Sequence, residues 1–222
     1  MFRNRLLLSL SVAALAGCSG SASETGAPST STSDPASTST STTAECRPTS
    51  GGVAQGNPTA AAGTPSSVKL GPGPDITPEE AAAEAPARRG TPLVISGTVY
   101  AADCRTPLEE AVIEAWQTDA RGVYGPGQAG GELRCCYLQG TVQTDSAGRY
   151  RIQTIRPGHY RGEDPPPPAH IHLNVSHGDA GVLTEIVFAG DPYVTEGAEV
   201  VRLRKEGGRL LGHFDIVLGQ TG

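Results

Sequence analysis

The chain has 222 residues and a formal net charge of −6. This acidic balance, without runs of Lys and Arg, argues against a nucleic-acid-binding protein. The one long apolar run, over residues 6–16, is too short to cross a bilayer.

The N-terminus has the form of an export signal. Arg3 and Arg5 precede the apolar run, an arrangement typical of a cleaved signal peptide over residues 1–17. Leu-Ala-Gly-Cys at residues 15–18 matches a bacterial lipobox, so we expect lipidation of Cys18. The chain is therefore predicted to be an exported lipoprotein, anchored to the membrane without spanning it. The alternative is ordinary secretion with a chance cysteine at this position.

Residues 18–90 are predicted to form a lipidated, largely disordered tether and lead segment. Ser and Thr fill 16 of the 26 positions from 19 to 44, which also lack Val, Ile, Leu and aromatic residues. Such a stretch cannot bury enough apolar area to offset its chain entropy. One short helix is predicted over residues 77–84, with Thr77 as N-cap, Pro78 at its first position and Glu80 completing a capping box.

Four cysteines remain beside Cys18, and an even number in an exported protein favours two disulfides. Adjacent cysteines rarely bond each other. We therefore expect Cys135 and Cys136 to pair with Cys46 and Cys104, in an order that the sequence leaves open. The alternative is a reduced or metal-binding Cys135-Cys136 pair, although the distant spacing of the others disfavours a zinc site.

Residues 91–222 suffice for one domain and are predicted to form a single all-β sandwich with long loops. Short apolar runs separated by Gly- and Pro-containing turns indicate this fold. The predicted strands cover residues 93–100, 111–116, 138–144, 149–154, the segment from 170, 183–188 and 210–218. Trp116 and Tyr150 are interpreted as core residues. The loops over residues 124–134 and 161–168 are expected to carry a functional site.

The sequence His-Ile-His at residues 170–172 is the main chemical signal. Side chains alternate along a strand, so His170, His172 and Asn174 share one face. Two imidazoles on one face of a rigid strand can chelate a metal ion. The alternative is a pair of polar residues on a solvated face. His159, His177 and His213 are interpreted as surface residues.

Four segments, taken in order, resemble the intradiol ring-cleavage dioxygenases. They are the stretch from Trp116 to Tyr124, the stretch from Thr144 to Tyr160, His-Ile-His, and Phe-Ala-Gly-Asp at residues 188–191. The resemblance implies a non-haem Fe(III) centre that cleaves a catechol-type diol with O2, between its hydroxyl-bearing carbons, to a muconate-type diacid. The implied metal ligands are Tyr124, Tyr160, His170 and His172.

The same resemblance implies catalytic roles for Tyr160, as a tyrosinate that accepts a substrate proton, and for Glu185, beside the substrate. Two positions depart from the family pattern. Pro167 stands where the family has an arginine that stabilises charge on the activated substrate, and Glu185 stands where it often has glutamine. A carboxylate there would repel a catecholate or a carboxylated ring unless it is protonated or paired, and the missing arginine also disfavours a carboxylate-bearing substrate such as protocatechuate. Other ring substituents and the oligomeric state stay open.

Two other classes fit parts of the sequence. A non-catalytic sandwich of the transthyretin or carboxypeptidase-regulatory type would explain the strands and turns, but gives no reason for His-Ile-His or Tyr124. A copper/zinc centre resembling exported superoxide dismutases needs more histidines at other spacings, and this chain has five in all.

Overall fold

Alternating apolar side chains along the strands of two sheets meet in one core. Ile171, Leu173 and Val175 are fully buried, as the alternation through His-Ile-His predicts. The computed structural model describes residues 46–56, 58–84, 89–127, 134–160 and 162–219. The predicted signal peptide, Cys18 and the tether over residues 19–44 lie outside these ranges. In the described part of the chain, no helix is long and apolar enough to span a membrane.

The structure is nearly all β, which confirms the predicted fold class. The elements are β1 (Ser67–Lys69), α1 (Pro78–Ala83), β2 (Pro92–Tyr100), β3 (Val112–Gln117), β4 (Leu138–Gln143), β5 (Arg149–Ile155), β6 (His170–His177), β7 (Ala180–Val187), β8 (Arg204–Glu206), β9 (Arg209–His213) and β10 (Ile216–Val217).

The two sheets divide the strands unequally. One sheet has the order β1-β5-β2-β9-β8, with β10 also paired to β2, and the other has the order β4-β3-β6-β7. In the four-stranded sheet, β6 lies between β3 and β7 and is antiparallel to both. His172 consequently stands opposite Trp116 on one side and Glu185 on the other.

The segment before β2 contributes more to the sandwich than its composition indicated. β1 pairs in parallel with β5, and Gly52 forms an antiparallel bridge to Leu183 in β7. The expectation of a largely disordered lead segment is therefore corrected for its described residues, because their backbone covers strand edges that would otherwise stay unpaired. Helix α1 confirms the predicted capping box, with reciprocal hydrogen bonds between Thr77 and Glu80.

The predicted strand over residues 210–218 is divided into β9 and β10. Both run parallel to β2, but between them the backbone N–H of Thr98 donates to the Asp215 carboxylate at 2.8 Å. The Asp215 side chain thus replaces a backbone carbonyl as the acceptor for Thr98, and the regular strand pairing ends there. The predicted faces remain: Phe214, Ile216 and Leu218 are buried.

The predicted disulfide pairing is wrong. Cys46 bonds Cys104, with Cα atoms 5.7 Å apart, and Cys135 bonds its neighbour Cys136. The pairs occupy different surroundings. Cys46 lies beside the turn that carries Ala102, whereas Cys136 is fully buried and its carbonyl accepts a hydrogen bond from Gly73. The rule that neighbouring cysteines avoid each other does not hold here.

Candidate metal centre

The chain leaves the end of β3 and reaches Tyr124 through a turn that is organised around the buried Asp119. The Asp119 side chain accepts hydrogen bonds from the backbone N–H groups of Arg121 at 2.7 Å and Val123 at 3.1 Å. Gly122 has a φ of +81°, a conformation that favours glycine. The turn therefore fixes the direction in which the chain reaches Tyr124.

The segment before Tyr160 packs directly on this turn. The N–H of Gly158 donates to the carbonyl of Asp119 at 2.9 Å, and Thr118 donates its hydroxyl to the Gly158 carbonyl at 2.8 Å. A Cβ at Gly122 would overlap the His159 carbonyl. Each tyrosine thus follows two residues after a glycine that permits close contact between the two segments.

The structure brings the four predicted ligands to one point. The Nε2 atom of His172 lies 2.8 Å from the Tyr124 hydroxyl, 3.0 Å from the Tyr160 hydroxyl and 3.1 Å from Nε2 of His170. The Tyr160 hydroxyl lies 3.1 Å from His170 Nε2, and the two hydroxyls contact each other. Two oxygen and two nitrogen donors therefore face a common centre.

The donor set fits a metal ion. An ion bonded to each donor at about 2 Å would hold adjacent donors roughly 3 Å apart, as the histidine nitrogens are here. The Nδ1–H of His170 donates to the Pro168 carbonyl at 2.6 Å, which leaves the Nε2 lone pair directed at the cluster. Phenolate oxygen and imidazole nitrogen together suit a hard ferric ion.

Burial controls the protonation of the cluster when no cation is bound. It raises the pKa of Tyr124 far above the ordinary value, and the Tyr160 hydroxyl adds to this shift. Burial also raises the pKa of Tyr160. It lowers the pKa of His172 to about 4, with a further contribution from His170. The imidazole is therefore neutral and able to bind metal, whereas the phenols would need a cation to ionise.

Glu185 lies at the rim of the cluster. Its carboxylate is 3.3 Å from His172 Nδ1 and 3.8 Å from His170 Nε2, and its side chain is half exposed. His170, His172 and Glu185 place potential ligand atoms within 4.8 Å of one another. The carboxylate thus lies against the histidines, on the side open to solvent.

Trp116 has a different role from the predicted one. It is only partly buried, and its ring stacks on His172 with centroids 5.0 Å apart. Its neighbour Ala115 faces the core, so the alternation along β3 could have placed Trp116 on the site face. Tyr150 is buried, as predicted.

Sequence reasoning also missed the contacts of His159. Interpreted as a surface residue, it donates its Nε2–H to Asp191 at 2.9 Å while remaining partly exposed. The Arg156 guanidinium carbon lies 3.9 Å from the centroid of the Phe188 ring, and its Nη2 atom lies 3.7 Å from the same carboxylate. The sequence contained one signal for these contacts, which is the aspartate of the Phe-Ala-Gly-Asp motif.

A cavity also lies elsewhere in the molecule, away from the four predicted ligands. This cavity, of about 810 Å³, lies on the six-stranded sheet and is lined in part by Lys69, Arg89 and Arg209. None of the four predicted ligands lines it.

Comparison with known proteins identifies the family. A family model described as Dioxygenase matches residues 72–217. The chain belongs to the intradiol ring-cleavage dioxygenase family. Because the relatives in this family are enzymes, membership in it does not favour the alternative of a non-catalytic sandwich.

Two curated relatives of the chain are similar over part of their length. Catechol 1,2-dioxygenase of Acinetobacter baylyi is 34% identical over an alignment 119 residues long, which covers 47% of this chain and 38% of the relative. Protocatechuate 3,4-dioxygenase beta chain of Burkholderia cepacia is 33% identical over an alignment 154 residues long, which covers 58% of this chain and 65% of the relative. The chain thus spans less than two thirds of each.

A solved structure supports the fold. The dioxygenase domain of a dioxygenase and carbohydrate-binding protein fusion from Streptomyces sp. SirexAA-E gives a TM-score of 0.54 at 24% identity. The match covers 79% of this chain and all of that domain.

Proposed function

We propose that the protein is a non-haem Fe(III) intradiol dioxygenase. It cleaves a catechol-type diol with O2, between the hydroxyl-bearing carbons, to a muconate-type diacid. The observation that carries the proposal is the convergence of the Tyr124 and Tyr160 hydroxyls with the Nε2 atoms of His170 and His172, at the distances given above. These four residues would hold the iron.

A bound ferric ion would supply the Lewis acidity that activates the diol and the redox chemistry toward O2. The protein supplies the proton acceptor. Burial raises the pKa of Tyr160, so its phenolate would be a strong base, able to take a proton from the diol and hold it. Tyr160 is accordingly assigned the catalytic role of proton acceptor.

The histidines keep the other side of the cluster fixed. His170 and His172 project from the central part of a sheet, between β3 and β7, and His170 is oriented by the Pro168 carbonyl. Trp116 covers one face of the His172 ring. This support restricts both rings, so movement on binding the diol falls to the loop-borne tyrosines.

Glu185 narrows the substrate class. Its half-exposed carboxylate faces the open side of the cluster next to His172, so it adds negative charge where a ring substituent would lie. Pro167 brings no positive charge to offset it. We infer that the enzyme prefers catechols with uncharged substituents over carboxylated rings such as protocatechuate. Glu185 thus acts in substrate selection at the catalytic site.

Product analysis tests the proposed reaction directly. The purified protein, loaded with ferric iron, is incubated with catechol in air, and oxygen uptake and ring-opened product are measured together. One O2 consumed per muconate-type diacid formed supports the proposal. A protein that binds iron but forms no ring-opened product from any of catechol, chlorocatechol or hydroxyquinol would contradict it.

We also propose that the enzyme is exported and anchored through lipidated Cys18. The proposal rests on the charged start, the short apolar run and the lipobox at residues 15–18. Replacing Cys18→Ser should move the protein from the membrane fraction to the soluble exported fraction. Equal membrane retention of the variant and the unaltered protein would contradict lipid anchoring.

A further inference from the structure

The aspartate that ends the Phe-Ala-Gly-Asp motif is buried and contacts the residues that immediately precede two of the proposed ligands. The side chain of Asp191 is 1% exposed. One of its oxygens, Oδ2, accepts hydrogen bonds from His159 Nε2–H at 2.9 Å and from the backbone N–H of Ala169 at 3.1 Å. The other oxygen, Oδ1, accepts from the backbone N–H of Tyr193 at 3.1 Å.

These partners occupy two particular positions in the chain. His159 immediately precedes Tyr160, and Ala169 immediately precedes His170. A single carboxylate oxygen therefore joins the backbone segment that carries a tyrosine ligand to the strand start that carries a histidine ligand. Between them, the chain passes through a segment with four consecutive prolines, and among the residues that the structure describes no strand pairing connects its two ends.

The surroundings keep the carboxylate charged and immobile. Burial alone raises the pKa of Asp191, but hydrogen bonds from the N–H groups of Tyr193 and Ala169 and from His159 outweigh it, so the pKa is lowered. The Arg156 guanidinium lies 3.7 Å from Oδ2 and is itself held over the Phe188 ring. The Tyr193 ring packs edge-on against His159, with centroids 4.9 Å apart.

We propose that Asp191 is a positioning residue that sets Tyr160 and His170 at their mutual distance. It touches neither donor atom, and acts through His159 on one side and Ala169 on the other. Metal and catalytic sites need their ligands placed within about 0.5 Å, which a loop alone does not ensure. The proposal rests on the assignment of Tyr160 and His170 as iron ligands.

The variant Asp191→Asn tests this role, with Asp145→Asn as a matched control. Asp145 also accepts from two backbone N–H groups, those of Ala147 and Arg149, and lies near an arginine, but its turn is remote from the cluster. We expect Asp191→Asn to lower ferric affinity by about 10–100-fold, the usual effect of losing an outer partner of a metal ligand. The tyrosinate-to-iron absorption band should shift as well, and the control should leave both unchanged.

Substitutions at His159 separate positioning from folding. The His159 side chain is partly exposed, so His159→Ala should still fold while it removes the hydrogen bond to Asp191 and the edge contact with Tyr193. We expect a shifted absorption band and a kcat reduced about tenfold with little change in KM. His159→Gln retains an N–H donor for Asp191 and should restore much of both.

Wild-type affinity, band position and kcat in both Asp191→Asn and His159→Ala would overturn the proposal. If Asp191→Asn fails to fold, the two His159 variants decide the outcome. A measurement that needs no metal separates this inference from the proposed function. In the iron-free protein, the ring NMR signals of Tyr160 and His170 should both move in Asp191→Asn. Neither signal should move in the control Asp145→Asn. Unmoved signals contradict positioning, whereas a wild-type protein without an iron-dependent band contradicts the function.

Discussion

The histidine and tyrosine halves of the cluster are built in different ways. His170 and His172 project from β6, which is paired on both sides, so their spacing follows from strand geometry. Tyr124 and Tyr160 come from loops, and their positions depend on Asp119, on contact between glycine-containing segments and on Asp191. The proposed histidine ligands are therefore held by a sheet and the proposed tyrosine ligands by loops, a division that suits the role we propose for Tyr160, which accepts a proton from the diol and later releases it.

Removing a strand ligand should have the largest effect. His172→Ala is expected to lower ferric affinity by more than roughly 100-fold, because loss of an outer partner of a ligand alone costs up to that much. Iron content after dialysis and the visible spectrum measure it. His177→Ala, at the exposed end of the same strand, is the control and should retain iron. Equal iron content in the two variants would contradict the ligand assignment.

The loop half should be sensitive to backbone contact. Gly122→Ala places a Cβ against the His159 carbonyl at a positive φ. It should lower the free energy of unfolding by at least about 2 kcal/mol, and the iron absorption band should be lost. Gly197→Ala has a φ of +85° and no heavy atom within 4 Å of its Cβ. It should cost only about 1 kcal/mol and retain the band. Chemical denaturation of both variants isolates the contribution of the close contact.

Protonation of His172 should make the stability of the iron-free protein depend on pH. The pKa of His172 is lowered to about 4 in the folded state, from 6.5 in the unfolded chain. Between these values the unfolded state binds more protons, so stability should fall as the pH drops from 6.5 to 4, by up to about 3 kcal/mol. Denaturation at several pH values measures this, and His172→Gln should remove most of the slope.

The smallest expected effect concerns the rim. Glu185→Gln removes a half-exposed negative charge beside His172, so kcat/KM for protocatechuate should rise about threefold relative to catechol, the size of a screened interaction below 1 kcal/mol. Parallel assays with the two substrates measure the ratio. An unchanged ratio would remove Glu185 from substrate selection and leave the iron assignment intact.

Sequence patterns predicted the strand half of the site better than its surroundings. Alternation through His-Ile-His predicted both the buried apolar face and the shared histidine face, because strand periodicity is local. The pairing of Cys46 with Cys104, the stacking of Trp116 on His172 and the link from His159 to Asp191 depend on contacts between distant segments. The composition of the lead segment likewise did not predict that this segment covers strand edges, because backbone pairing needs little apolar surface.

The visible absorption spectrum of the iron-loaded protein, before and after catechol is added without oxygen, tests the central claim most directly. Two tyrosinates bound to ferric iron should give a broad visible band, and chelation of the diol should shift it to longer wavelength. Loss or shift of that band in Tyr124→Phe would connect it to the proposed ligand. A protein that stays colourless after ferric reconstitution would contradict the proposed iron centre.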